Sequence, residues 1–343
     1  LSDAETNISR KIAVYGANGH TGRLVVSELL KRGVSPIAVA RSSEAISAAQ
    51  FPGEVTRRCA TVDDPLSLDT AFEGAAAVIN CAGAFLDTAN AIAGAAVRKR
   101  LHYLDVTAEQ ASAQKTFETF DSSAREAGVV VLPAMGFFGG FADLLATVAT
   151  KGWASVDDIN VMIGLDSWHP TRGTRLTGER NTARRLVVEK GALVPVQLPP
   201  AEGEGTFVQP VGHQRTLEVP LSEIILISRH LKPKAVRTFL SANAIEDIRD
   251  TSTPVPRLDE TGRSPQRFVV EIVARLGQEE RRVVAQGRDI YAFSAPLVCE
   301  AAGRLLRPEF NRAGAYTPGQ IFDAADLLNS LRSEHFTLDV LED

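Results

Sequence analysis

The sequence predicts an α/β chain: a doubly wound parallel sheet over residues 1–150, a second mixed, mostly antiparallel α+β domain over 151–290, and helices over 291–343 that return to the first sheet. Three observations predict it. Short apolar runs alternate with amphipathic helical segments as far as about residue 150. Glycines at 16, 19 and 22 sit between the first run and the first helix. Beyond Trp153 the runs shorten or alternate, with turn-rich segments such as PTRGT, PPAEGEGT and ETGRSPQR between them.

The elements follow in order. KIAVYG (11–16) is a short apolar run ended by glycine, the mark of a buried strand. Residues 21–32 place Leu24, Val25, Leu29 and Leu30 at helical spacing, and Gly33 stops them. PIAVA (36–40) is the second strand, and 43–50 a helix capped by Ser42 or Ser43. A weak strand at 56–59 precedes a helix at 65–72, with Asp64 as cap and Pro65 in the first position. AAVIN (76–80), a helix over 88–100, HYLDV (102–106), a helix over 112–127 and VVVLP (129–133) complete the alternation, which implies a parallel sheet covered on both faces. In the second domain VDDINVMIGL, EIILISRH, RFVVEIVARL and RRVVAQGR read as strands, and 232–249 as one helix. The tail reads as helix over 295–307 and again over 318–331.

Bulk properties bound the function. A chain of 343 residues exceeds one ordinary core. A formal net charge of −5 excludes a dedicated nucleic-acid binder. Three scattered cysteines, with no CxxC pair, fit a reducing compartment and no structural zinc. The first residues lack the apolar core of a signal peptide, and the most apolar stretch (129–149) is broken by Pro133, three glycines and Asp143. A cytoplasmic protein with no membrane partner is therefore expected. HExxH, GxxxxGK[ST] and GxSxG are absent, so no metal, nucleotide hydrolysis or common hydrolase elbow is expected.

The glycine turn carries the chemistry. Between a first strand and a first helix, glycines bring the backbone close to a pyrophosphate, and the helix N-terminus supplies free N–H groups. Gly16, Gly19 and Gly22 make this a GxxGxxG variant of a Rossmann-type dinucleotide turn. The end of the second strand separates the cofactors. Arg41 and Ser42 stand where an NAD enzyme usually has a carboxylate for the ribose diol, so NADP(H) is expected. Glu44 is the residue that would contest this by taking the ribose. The small residues of NCAGAF (80–85) end another strand on the same crevice.

Together, GANGHTGRLVV, VINCAGAF, HYLDVTAEQ, AMGFFGGFADLLA and AGAYTPGQIFDAADLL resemble the saccharopine dehydrogenase-like NADP-binding reductases, including the trans-acting enoyl reductase type. The likeness covers the first 150 residues well, the tail moderately and the middle in texture only. It implies that a mixed domain is inserted after the Rossmann domain and that the pair forms a homodimer. It further implies that Asn18, His20 and Thr21 meet phosphates and ribose, and that Arg41 and Ser42 hold the 2′-phosphate. Ala82, Gly83 and Phe85 would lie beside the cofactor, and Asp105 to Thr107 near the nicotinamide. Relatives often read GFDSVPSDL where this chain has GFFGGFADL, which puts Phe137 and Phe138 in place of polar residues and implies a more apolar substrate.

Hydride transfer also needs a proton donor or polarising group. No tyrosine is followed by lysine four residues on, which argues against a short-chain dehydrogenase. Asp105, Tyr291 and His169 are the candidates; His20, inside the turn, is assigned to the phosphates. Trp168 and the arginines of HPTRGTRLTGERNTARR, Arg172 and Arg175 among them, are candidate substrate contacts. The expected function is NADP(H)-dependent reduction of a C=O, C=N or C=C bond of a small molecule. A non-catalytic NADP-binding regulator, or an enzyme using NADP without net redox change, stands as the alternative.

Overall fold

The computed structural model describes residues 11–342; the expectations for a leader at 1–10 lie outside them. The chain runs β1 (Lys11–Tyr15), α1 (His20–Lys31), β2 (Ser35–Ala40), α2 (Ser43–Ala48), β3 (Thr56–Cys59), α3 (Pro65–Ala71), β4 (Ala75–Asn80), α4 (Phe85–Arg98), β5 (His102–Asp105), α5 (Gln110–Ala127), β6 (Val130–Leu132) and α6 (Ala142–Ala149). It continues with β7 (Asp158–Leu165), α7 (Arg172–Arg180), β8 (Leu186–Glu189), β9 (Ala192–Pro195), β10 (Glu202–Thr206), β11 (His213–Glu218), α8 (Ser222–His230), β12 (Ala235–Ser241) and α9 (Ala242–Arg249). The last elements are β13 (Arg267–Leu276), β14 (Glu279–Arg288), α10 (Ile290–Leu305), β15 (Gly314–Ala315), α11 (Pro318–Ile321), α12 (Ala324–His335) and β16 (Phe336–Glu342).

The first sheet has seven strands in the order β15-β6-β5-β4-β1-β2-β3, all parallel. Its central strands are buried on both faces, which is why they read as unbroken apolar runs. Sequence order reverses between β1 and β4, and a doubly wound sheet opens its ligand crevice at that switch.

The second sheet runs β10-β11-β12-β7-β13-β14-β16, with the β8–β9 hairpin attached to β12. It is mostly antiparallel, with β12 and β7 parallel. Two expectations fail here. EIILISRH is a helix, α8, whose four residues from Ile224 to Ile227 are all buried; a short apolar run buried all round does not distinguish helix from strand. Conversely, 232–249 is not one helix. AVRTFLS buries Val236, Thr238 and Leu240 in strand alternation as β12, and only 242–249 is helical.

The tail serves both sheets. α10 packs along α1, β15 extends the first sheet beside β6, and β16 pairs with β14 in the second. The buried Asp143 of α6 anchors it, accepting the Gly319 N–H at 2.7 Å and facing the His230 Nδ1 at 3.4 Å.

One buried carboxylate aligns the strand ends at the crevice. Asp105, at the end of β5, is fully buried. Its Oδ1 accepts the N–H groups of Thr107 (3.0 Å) and Ala134 (2.8 Å), and its Oδ2 accepts the Tyr103 hydroxyl (2.8 Å). Its carbonyl takes the Met135 N–H at 2.7 Å. Asp105→Ala would orphan three buried donors, each costing about 1–3 kcal/mol. The expected loss is at least ~3 kcal/mol of unfolding free energy, read from the urea midpoint, with Asp105→Asn much milder.

Candidate functional site

The glycine turn is built for an anion. Gly16 has φ +79° and a Cβ on it would press on Ala82 at 3.0 Å, while a Cβ at Gly22 would run into the Gly16 carbonyl and the Ala17 backbone. The Gly16 and Ala17 N–H groups are tied to the Val39 carbonyl, and Arg23 Nε donates to the Asn18 carbonyl at 3.1 Å, fixing the turn's shape. No side chain caps α1 and no acidic residue stands in its first turn. Its first N–H groups and positive dipole end thus suit a phosphate, and the residues present fit a dinucleotide.

At the end of β2, Arg41 is exposed, whereas Arg57 and Arg58 on the neighbouring β3 spend their guanidinium groups on backbone carbonyls. Ser42 caps α2, its Oγ accepting the Ala45 N–H at 3.2 Å, and donates to Glu44 at 2.7 Å. That bond holds the Glu44 carboxyl below its ordinary range.

A cavity of about 250 Å³ lies between the strand ends of the first sheet and the elements of the second. Thr21, Cys81, Gly83 and Phe85 bring the cofactor turn and the loop after β4 to it. Phe137, Phe138 and Trp168 form an aromatic wall, with Phe138 stacked on Trp168 at 5.1 Å and 27°. Phe137 is braced by Phe268 and Phe293, and its N–H donates to Ser294 Oγ at 3.0 Å. α7 closes the far side with Gly173, Thr174, Thr177 and Gly178, and Thr177 stands so near Gly83 that a Cβ there would meet its hydroxyl at 2.8 Å.

Of the three expected proton donors, only Tyr291 reaches the cavity. Its hydroxyl accepts from Trp168 Nε1 (2.8 Å) and the Thr171 N–H (3.3 Å), which uses both lone pairs. Its proton then goes to Thr174 Oγ1 at 2.8 Å, so Tyr291 fastens α7 to the aromatic wall. Asp105 is absent from the lining and fully engaged as the staple described above. His169 is half-buried and does not line the cavity either.

The His20 ring stands edge-on to Tyr291 at 5.3 Å, with Nε2 buried and unpartnered among the described residues. Burial pushes its pKa down, against a smaller pull from Asp289. Thr107 is buried and uses its hydroxyl on the Glu109 N–H at 3.0 Å, while Ala82 packs beside Gly16 outside the cavity. Arg172 is exposed away from the cavity. Arg175 turns outward to the carbonyls of Ile248, Asp250 and Thr253.

One lining residue, Glu109, was missed, and another, Arg185, was named only as one of the clustered arginines. Glu109 is the carboxyl that lines the cavity among the described residues. Its Oε1 accepts the Phe85 N–H at 2.8 Å and its Oε2 the Leu86 N–H at 3.0 Å, so it caps α4 from another element. Burial raises its pKa and the two amides pull it part of the way back. Arg185 is the lining cation. Glu109 sits one residue before α5, where a carboxylate reads as an ordinary helix-start residue, and Arg185 is one of a cluster; neither stands out by spacing.

A family model described as NAD(P)H-binding matches residues 16–127, from the first glycine of the turn to the end of α5. Saccharopine dehydrogenase (L-Glu forming) of Saccharomyces cerevisiae superposes with a TM-score of 0.68 over 97% of this chain and 100% of that one, at 10% identity, which shows a shared fold. A lipid droplet localized protein of Caenorhabditis elegans is 30% identical over 146 residues, 39% of this chain and 34% of that protein. A probable mitochondrial saccharopine dehydrogenase-like oxidoreductase of Arabidopsis thaliana is 26% identical over 160 residues, 42% of this chain and 35% of that protein. The matches thus span about a third of each curated relative. Among the described residues no helix is long and apolar enough to cross a membrane. The chain thus carries an NAD(P)H-binding domain and shares the overall fold of saccharopine dehydrogenase, a likeness that gives its architecture and cofactor class but not its substrate.

Proposed function

We propose that this protein is an NADP(H)-dependent oxidoreductase that reduces a C=O, C=N or C=C bond of a small organic substrate. The observation that carries the reading is the shared cavity: the glycine turn enters it through Thr21, and the Glu109 carboxyl and an aromatic wall enter it from other elements. The first-turn amides of α1 would hold the pyrophosphate and Arg41 the 2′-phosphate. The nicotinamide supplies the hydride when bound. Gly83 and Phe85 leave room beside it, and the wall of Phe138 and Trp168 keeps water from the reacting face.

Glu109 is placed to give the proton. Its raised pKa keeps a larger neutral fraction than a free carboxyl has, and the α4 amides stabilise the carboxylate left behind.

Three outcomes test the reading. Calorimetry with NADPH should show saturable binding, and its absence would overturn the cofactor assignment. Arg41→Asp should weaken NADPH by about tenfold or more and spare NADH, as loss of one charge-assisted contact of about 1.5–3 kcal/mol implies; equal losses for both cofactors would count against a 2′-phosphate contact. Glu109→Gln should cut NADPH oxidation about 10²- to 10⁴-fold with NADPH affinity little changed. With the native carboxyl, activity falls as pH rises through a pKa above the ordinary glutamate value, because the proton donor ionises; the variant should lack that limb.

A further inference from the structure

We propose that the cavity takes a small carboxylic acid, with its aromatic or branched apolar body against Phe138 and Trp168 and its carboxylate on Arg185 and Asn181. This deepens the reductase reading and rests on it for the cofactor side only.

The apolar half of the argument is the wall. Trp168 spends its one donor, Nε1, on Tyr291 and is stacked by Phe138, so what it offers the cavity is apolar ring surface. A wall held at one end by a hydrogen bond and at the other by stacking is rigid, which favours a flat or branched body over a flexible polar one.

The polar half is an uncommitted cation. Arg175 makes three bonds to carbonyls, Arg180 pairs with Asp87, and Arg237 holds both Glu189 and Glu218. Arg185 makes one long bond, 3.4 Å to the Pro220 carbonyl, and no ion pair among the described residues. It is exposed to solvent while lining the cavity. Asn181 beside it has its Oδ1 occupied by the Ala183 N–H at 3.3 Å, which leaves its amide N–H₂ as a donor. Both residues also line the narrow groove beside Leu221 that leads from the cavity.

The other charge in the cavity does not cancel this cation. Both oxygens of Glu109 face the amides of Phe85 and Leu86, and Glu109 forms no ion pair with Arg185. The cavity therefore has the Glu109 carboxyl committed to α4 at one end and the unpaired Arg185 guanidinium at the other. A monoanion enters with its charge toward Arg185, which directs the rest of the molecule along the aromatic wall toward Gly83. A guanidinium fork with one amide donor matches the two oxygens of a carboxylate; a phosphate monoester carries more charge and more acceptors than these two residues satisfy.

The test uses the fluorescence of Trp168. The chain has two tryptophans, so Trp153→Phe leaves Trp168 as the reporter. The protein is titrated with 3-phenylpropionate, with and without saturating NADP⁺. Saturable quenching is expected, at least tenfold weaker with 3-phenylpropanamide, with propionate, and with Arg185→Gln, and intermediate with Arg185→Lys. The proposal is overturned if the amide binds as well as the acid, if propionate matches 3-phenylpropionate, if phenyl phosphate binds more tightly, if Arg185→Gln is without effect, or if the acid fails to bind in either condition. Calorimetry of NADP⁺ on the same sample separates the readings: cofactor binding without acid binding sinks this inference alone, and acid binding without cofactor binding sinks the reductase reading alone.

Discussion

The buried carboxylate of Asp105 is the constraint on which the crevice depends. It sits where β5 ends and accepts donors from three places at once: its own strand, the loop toward α5 and the loop after β6. The first of those loops carries Thr107, whose hydroxyl takes the Glu109 N–H and whose carbonyl takes the Ser222 hydroxyl. The second carries Phe137 and Phe138 into the cavity. A desolvated charge without these donors would be untenable in the core. The satisfied one ties the carboxyl side of the cavity to its aromatic side, and through Ser222 to the first turn of α8. Desolvation raises its pKa against the pull of its three hydrogen bonds.

A second tie crosses from the other direction. Tyr291, at the start of α10, contacts His20 of the glycine turn with its ring and Trp168, Thr171 and Thr174 with its hydroxyl. The start of α10 is itself fixed by Asp289, which accepts the Tyr291, Ala292 and Ser264 N–H groups. α7 is thus fastened at its inner end through Tyr291 and at its outer end through the Arg180–Asp87 pair on α4. Neither sheet encloses the cavity alone. In the proposed reading one sheet brings the cofactor turn with Phe137 and Phe138, the other brings Trp168 and α7, and a single tyrosine touches both.

The first sheet was legible because its determinants are local: unbroken apolar strands, amphipathic helices and a turn only glycine can make at positions 16 and 22. The second was harder for a physical reason. α8 buries six consecutive residues from Ser222 to Ile227, so no period of 3.6 survives in EIILIS, while the half-polar alternation of β12 runs into the helical stretch 242–249 and hides the boundary between them. Candidate residues fared by the same rule. Gly83, Phe85, Phe137, Phe138 and Trp168 reach the cavity because the strand ends and the loop after β6 deliver them there. Arg175 faces away because the carbonyls at the end of α9 compete for it, and spacing along one chain does not reveal a partner some 75 residues distant.

Asp105 and Glu109 show where sequence reading reaches its limit. Both are buried acids with raised pKa, four residues apart at the same strand end. Position alone favours Asp105, the residue that ends the strand. Bonding reverses the choice. Asp105 accepts a tyrosine hydroxyl and two amides and borders no cavity, so its charge serves the fold. Glu109 accepts two amides and borders the cavity, so its carboxyl joins a helix terminus to the cavity wall. The deciding partners are Ala134 for one and Phe85 for the other, each more than twenty residues away. Whether a carboxyl meets a cavity depends on which loop returns to it and where the cavity opens, and both are properties of the fold rather than of the local sequence.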